Sequence, residues 1–246
     1  MHLSGPPICA SRCEARGFGI ARHRPGRRSL AMSARAAIVR PGSALRAPAA
    51  RATPDHILAA AAGLFGHQGY TATTLRQIAK AAGIRAGSIY YHFEGKEQVA
   101  ARVLDAGIDA LTAAVQACLD ALPSGAGARA RLAAAVEGHL WAMVHHRDFT
   151  AAHIRIYRNV SEAARQRHQP VRSAYTRLWD GLLDEAAAAG ALRRDIPVPM
   201  IRQFLVGALN WPVDWYDPQR GPFDRFAAQM TAMVFDGIVV DPEAAS

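Results

Sequence analysis

Lysine is nearly missing from this chain: Lys80 and Lys96 are the only two among 29 lysines and arginines. That skew resembles a coding bias and carries no function. Cysteine is sparse too, with only Cys9, Cys13 and Cys118. Three is too few, and odd in number, for a disulfide scaffold, and points to a reducing cytosol. Half the residues are hydrophobic, yet no run approaches the roughly 20 apolar residues of a membrane span. Strict apolar–polar alternation, the mark of a half-buried strand, is absent, as are internal repeats. No G-x-S-x-G elbow, P-loop or dinucleotide fingerprint occurs, so no enzyme and no cofactor is expected.

Acids are almost absent from residues 1–50, where nine arginines face only Glu14. That segment holds +8 of the net +9, leaving +1 for residues 51–246. It is also rich in Gly, Pro, Ala and Ser and has no sustained apolar period, so it reads as a disordered Arg-rich tail. Three readings of it stand: upstream sequence translated ahead of a start such as Met32, an arm attracted to DNA phosphates, or a targeting peptide.

What is present, from Thr53 onward, is helical periodicity. Ile57, Leu58, Ala61, Leu64 and Phe65 share one face, with Thr53 as cap, Pro54 in the first turn, and Gly66 and Gly69 as stops. The next helix opens at Thr74, with Gln77 three residues later as a capping box. Leu75, Ile78, Ala79 and Ala82 form its stripe, and Gly83 its left-handed stop. A second short helix follows through Ser88–Phe93. Two short helices about a Gly-containing turn are a helix-turn-helix, 74–93. Further helices are expected over 96–121, 132–147, 149–160, 162–189, 198–211 and 224–239, with a loop at 122–128. The chain is expected to be all-α.

Ile89 and Phe93, four apart and apolar, face the core. That leaves Gly87, Ser88, Tyr91 and His92 on the other side, with Tyr90 at the border. Hydroxyls, an imidazole and a small residue on one exposed face suit a sugar-phosphate backbone and base edges. Arg85 precedes this helix and Lys96 opens the next. Thr74 adds a hydroxyl at a helix N-terminus, where free N–H groups favour a phosphate.

The run TTLRQIAKAAGIRAGSIYYHFEGKEQV, residues 73–99, resembles the signature of TetR-family regulators. The resemblance covers about 51–111 and implies a three-helix DNA-binding domain, with 86–93 entering the major groove. It also implies a homodimer on a palindromic duplex operator. Thr74, Tyr90, Tyr91, His92 and Lys96 match family positions that touch backbone or bases. Arg85 departs from the family's usual Ser or Thr, exchanging a cap worth about 1 kcal/mol for a guanidinium that can reach a phosphate or a guanine edge.

For 112–246 the resemblance implies a larger helical bundle that binds a small-molecule effector and dimerises through its last two long helices, about 198–211 and 224–239. Leu205, Ala208 and Leu209, then Phe226, Met230, Met233 and Val234, give each an apolar face. The segment carrying Asn210, Trp211, Trp215 and Tyr216 is similar to that of a branch answering to acyl-CoA thioesters. Such a ligand needs an apolar tunnel and cations for its phosphates. Trp141, Met143, Phe149, Ile156, Tyr157 and Trp179 are the tunnel candidates; Arg155, Arg158 and Arg177 are candidates for its mouth. His139, His145, His146 and His153 are spaced six, one and seven apart, which does not suit one metal ion, so no metal is expected. A cytoplasmic, membrane-free, ligand-responsive repressor is the reading. A helical hydrolase and a non-specific DNA-coating protein are its rivals.

Overall fold

The computed structural model describes residues 53–238, so the Arg-rich tail lies outside the described residues. Among these, nine α-helices and two 3₁₀ segments occur, and no strand. In chain order they are α1 (Pro54–Ala72), α2 (Leu75–Ala81), a 3₁₀ segment (Ala86–Tyr91), α3 (Lys96–Asp120), α4 (Ala128–His145) and α5 (Arg147–Ile156). Then come α6 (Glu162–Ala188), α7 (Val198–Asn210), α8 (Pro212–Trp215), a 3₁₀ turn (Pro218–Arg220) and α9 (Phe223–Ile238).

The expected helices are present, with two local differences and two additions. Thr53 stands at the start of α1 but makes no side-chain cap; Pro54 supplies the preset φ instead. The helix also runs through Gly66 and is broken only at Gly69, whose φ of 80° interrupts it. Gly66 has another use: α5 packs there, and a Cβ would sit 3.6 Å from Asp148 O and Ala151 Cβ. The additions are α8 and the 3₁₀ turn after it, between the helices expected over 198–211 and 224–239.

Two apolar cores result, and α3 runs through both. Its first half (Val99, Val103, Leu104) joins Ile57, Phe65, Ile78 and Ile89. Its second half (Ile108, Leu111, Val115) joins α4, α6, α7 and α9. Helix α5 belongs to the first core, through Phe149, Ala152 and Ile156. Glycines set the closest crossings. At Gly107 a Cβ would lie 2.9 Å from Phe149 O, and at Gly138 it would lie 2.7 Å from both Ala114 O and Val115 Cα. Where α6 leaves the first core, buried His168 bonds Asp105 of α3 through Nδ1 at 2.7 Å.

Candidate nucleic-acid interface

Helix α2 starts as its sequence dictates. Gln77 N–H donates to Thr74 Oγ1 (3.2 Å) and Thr74 N–H to Gln77 Oε1 (2.8 Å), so two otherwise orphaned donors are satisfied. Gly83, at φ 70°, ends it, and Ile84 N–H reaches back to Ala79 O at 2.9 Å. Arg85 then occupies the N-cap position of the next segment with no side-chain cap bond, which leaves its guanidinium free to point outward.

That segment is a 3₁₀ turn over Ala86–Tyr91, closed by Phe93 N–H donating to Ile89 O at 2.9 Å. Ile89 is fully buried and Phe93 nearly so, which anchors it. Tyr90 is 63% exposed and Tyr91 87%. Three residues per turn, rather than 3.6, rotate Tyr90 away from Ile89, so the border residue lies outside the core. His92 is exposed and Ser88 half-buried. Beside them an open groove of about 560 Å³ is lined by Thr74, Arg76, Gln77, Ala79, Lys80, Ile84, Arg85 and Ala86. Arg76 and Lys80 did not stand out in the sequence. Their signal was the i, i+4 spacing opposite buried Ile78 and Ala79, which places two cations on one face beside Arg85.

Lys96 faces inward. Its ammonium donates to Tyr70 O (3.1 Å) and Thr73 O (3.0 Å) and lies 4.0 Å from the centre of the Tyr70 ring. Glu97 accepts from the Tyr70 hydroxyl and from Ser161 Oγ (2.7 Å), the latter at the start of α6. Burial alone would raise the Glu97 carboxyl. Those two hydroxyls, with Lys96 beside it, more than reverse this and hold it below the usual range. Burial and the same carboxylate push the Tyr70 phenol upward. The pair clasps the end of α1 to the start of α3.

The residues proposed for an effector do not converge. Trp141, Met143 and Trp179 are buried in the second core, whereas Phe149 and Ile156 are buried in the first. Tyr157 lies against the first core, with its hydroxyl accepting from Arg172 at 3.0 Å. Arg158 and Arg177 are exposed. Arg155 is engaged by Gly66 O and by Asp214.

What lies at the centre of the second core is polar. Fully buried His139 contacts Tyr175 Oη through Nδ1 (2.7 Å) and Asn210 Oδ1 through Nε2 (3.2 Å). Burial lowers its pKa to about 4, against a smaller opposing pull from Asn210, so the ring is neutral. Asn210 Oδ1 only accepts, so Nε2 carries the proton and Tyr175 donates to Nδ1. Sequence reasoning weighed His139 only as a metal ligand. Its phase with Val136 and Met143, three before and four after, marked it as inward-facing. Among the described residues no group of three or more His, Cys, Asp or Glu side chains is placed to hold a metal ion, and no helix is long and apolar enough to cross a membrane.

Comparison with known proteins bears on both halves. Residues 57–103 match the bacterial regulatory proteins of the tetR family, and residues 125–238 match the tetracyclin repressor-like C-terminal domain. The HTH-type transcriptional repressor KstR2 of Rhodococcus jostii is 32% identical over 188 residues, covering 74% of this chain and 89% of that protein. The structure of the ketosteroid transcriptional regulator KstR2 of Mycobacterium tuberculosis superposes with a TM-score of 0.66 at 28% identity, over 76% of this chain and 95% of that one. The fatty acid metabolism regulator protein of Bacillus subtilis is 22% identical over 63% of this chain and 78% of its own length. Regulators of this kind bind DNA operators and effectors, act as dimers and are not enzymes. A capped helix, a glycine stop, an exposed tyrosine pair and this helical bundle thus occur together for a family reason: the chain belongs to the TetR family of transcriptional regulators.

Proposed function

We propose that this protein is a cytoplasmic repressor whose dimer reads a palindromic operator and is released by a small apolar effector of the acyl-CoA thioester class. The observation that carries the DNA reading is the exposure of Tyr90 and Tyr91 on a segment pinned by Ile89 and Phe93. Two aromatic rings held outward on a buried anchor are preorganised for a groove. Arg85, Ser88, Tyr91 and His92 read or approach base edges; Thr74, Tyr90, Arg76 and Lys80 meet the backbone. Lys96 acts chiefly by holding the elbow between α1 and α2, with its remaining N–H available to a phosphate.

Dimerisation falls to an exposed stripe on α7 and α8. Met200 and Phe204, four apart on α7, and Trp211, at its end, are each more than 60% exposed, and Trp215 at the end of α8 is 46% exposed. Met233 of α9 is 63% exposed. Leu205, Leu209, Met230 and Val234 are spent on the monomer's own core. The effector class draws support from two of the relatives, a ketosteroid regulator and a fatty acid metabolism regulator. Of the tunnel candidates, Trp179 lies against His139, with ring centroids 6.0 Å apart, and Trp141 and Met143 share its core.

The test is selection of genomic fragments by the purified protein, followed by titration of acyl-CoA thioesters with and without the selected duplex. A shared palindromic motif, and a thioester that binds more weakly when DNA is present, are expected; reciprocity requires the same factor in both directions. Failure to enrich any motif defeats the DNA reading. Thioesters that do not bind defeat the effector class alone.

A further inference from the structure

Helix α5 lies between the DNA-binding core and the segment that carries the exposed tryptophans, and it is fastened to both. Toward the DNA-binding core, Arg155 donates to the carbonyl of Gly66 in α1. The break at Gly69 makes that turn of α1 a helix end, whose carbonyls need outside donors. Toward the other side, the same guanidinium meets Asp214 Oδ1 of α8 at 2.7 Å. Arg147 adds a bond to Val213 O at 2.9 Å. Asp214 sits between buried Val213 and half-exposed Trp215. One planar head therefore joins a backbone atom of the first DNA-binding helix to the helix bearing the proposed dimer face.

We propose that Arg155 is a positioning residue that sets which half-site separation the dimer accepts. This rests on the proposed dimer through Met200, Phe204, Trp211 and Trp215. The two-fold axis runs through that face, so the distance between recognition segments depends on how each DNA-binding core sits relative to it. The core continues into the second one through α3, a helix of 25 residues, and through α5, which packs on α1 within it. Arg155 adds to these an attachment from another direction, from Gly66 O to the helix beneath the proposed dimer face, and each added attachment narrows the range of tilt. Half-sites on successive major-groove faces lie about 34–36 Å apart or multiples of it, so a small tilt changes the preferred spacer. The ion pair is exposed on both sides, at 43% and 45%. It therefore adds little to stability, and its effect is on geometry. Lysine is no substitute, since one ammonium lacks the flat fork that serves two acceptors in fixed directions.

The experiment uses the full chain as Arg155→Met, Arg155→Lys and Asp214→Asn. Asp214→Asn releases the tether from its other end and leaves Gly66 O with its donor. Probes are duplexes carrying two copies of the half-site selected by the unaltered protein, with spacers lengthened or shortened one base pair at a time, and a duplex with one half-site. The unaltered protein should show one narrow optimum. Arg155→Met and Arg155→Lys should lose about five- to tenfold affinity at that optimum and bind neighbouring spacers more evenly, with single half-site affinity unchanged. Asp214→Asn should move the same way by less. An unaltered spacer profile in Arg155→Met, or in Asp214→Asn should the first not fold, overturns the proposal alone. Equal loss at every spacer and on the single half-site also overturns it, since that is a DNA contact or a stability effect. An unaltered protein that is monomeric or indifferent to spacer overturns the dimer reading as well.

Discussion

The two cores are built inside-out relative to each other. In the DNA-binding half the clustered interior is aliphatic and aromatic, with buried Thr73 bonded locally to Gly69 O and His168 held at the edge by Asp105, while Thr74, Arg76, Lys80, Arg85 and the Tyr90–Tyr91 pair stand outside. In the C-terminal half a histidine, a tyrosine hydroxyl and an asparagine are bonded to one another inside, while Met200, Phe204, Trp211 and Met233 stand outside. Each half shows outward the chemistry of the partner proposed for it. A polyanion calls for donors on the surface; a second apolar face calls for apolar side chains there. The buried polar chain of the second half is then a specificity element, because an apolar bundle can slip in register and a bonded triad cannot.

The contrast breaks most severely at the α3–α4 crossing. Gly138→Ala puts a methyl 2.7 Å from Ala114 O and Val115 Cα, both backbone and unable to swing aside. Chemical denaturation should show a loss of about 2–3 kcal/mol. Gly63→Ala, with nothing within 4 Å of the added carbon, should instead gain about 0.5–1 kcal/mol from helix propensity. On the outward-polar side, Tyr91→Ala should cost about 1–3 kcal/mol of operator binding in gel-shift titrations. Its melting temperature should hardly move, since the ring touches solvent.

The inward-polar side responds to pH. His139 has its folded pKa lowered to about 4 from an ordinary 6.5, so the unfolded chain takes up the proton first as pH falls. Its contribution is intact above pH 6.5 and is lost between there and about 4, at up to about 1.4 kcal/mol per pH unit. His153, on α5 beside the first core, is lowered by burial to about 3, with the neighbouring His168 adding to the shift. His139→Leu should be less stable at neutral pH by about 1–3 kcal/mol, because Tyr175 and Asn210 lose their partner. Its denaturation midpoint should fall less steeply with acid than that of the parent; parallel curves would refute the assignment. A smaller loss is expected of Thr74→Ala, which should lower stability by about 1 kcal/mol by removing the cap.

Legibility in the sequence followed the range of the interaction. Thr74 with Gln77, Gly83 and the Ile89–Phe93 pair act within a few residues, so spacing alone revealed them. The family signature then supplied the DNA-facing set. Arg155 was read as an effector cation because its real partners lie 89 and 59 residues away, beyond any local pattern. Lys96 is similar: its acceptors are carbonyls 26 and 23 residues earlier, and backbone acceptors leave no trace in side-chain identity. Tyr90 lay at the border only under an α-helical phase, which the 3₁₀ turn does not follow. Tunnel candidates chosen for size and polarity were divided between two cores because α5 packs back onto α1.

The clasp at Lys96 has a thermodynamic consequence. Binding to DNA releases one condensed counterion for each phosphate neutralised, and log K falls against log salt with a slope of about −0.9 per contact. An ammonium already shared between two carbonyls and a neighbouring carboxylate releases little. For a dimer of chains beginning at residue 51, Arg76, Lys80 and Arg85 then supply six contacts and a slope of about −5. A fully engaged Lys96 would make eight contacts and a slope of about −7. Operator titrations across a range of potassium chloride concentrations read that difference directly: a slope near −7 would mean that the lysine leaves its carbonyls when DNA arrives.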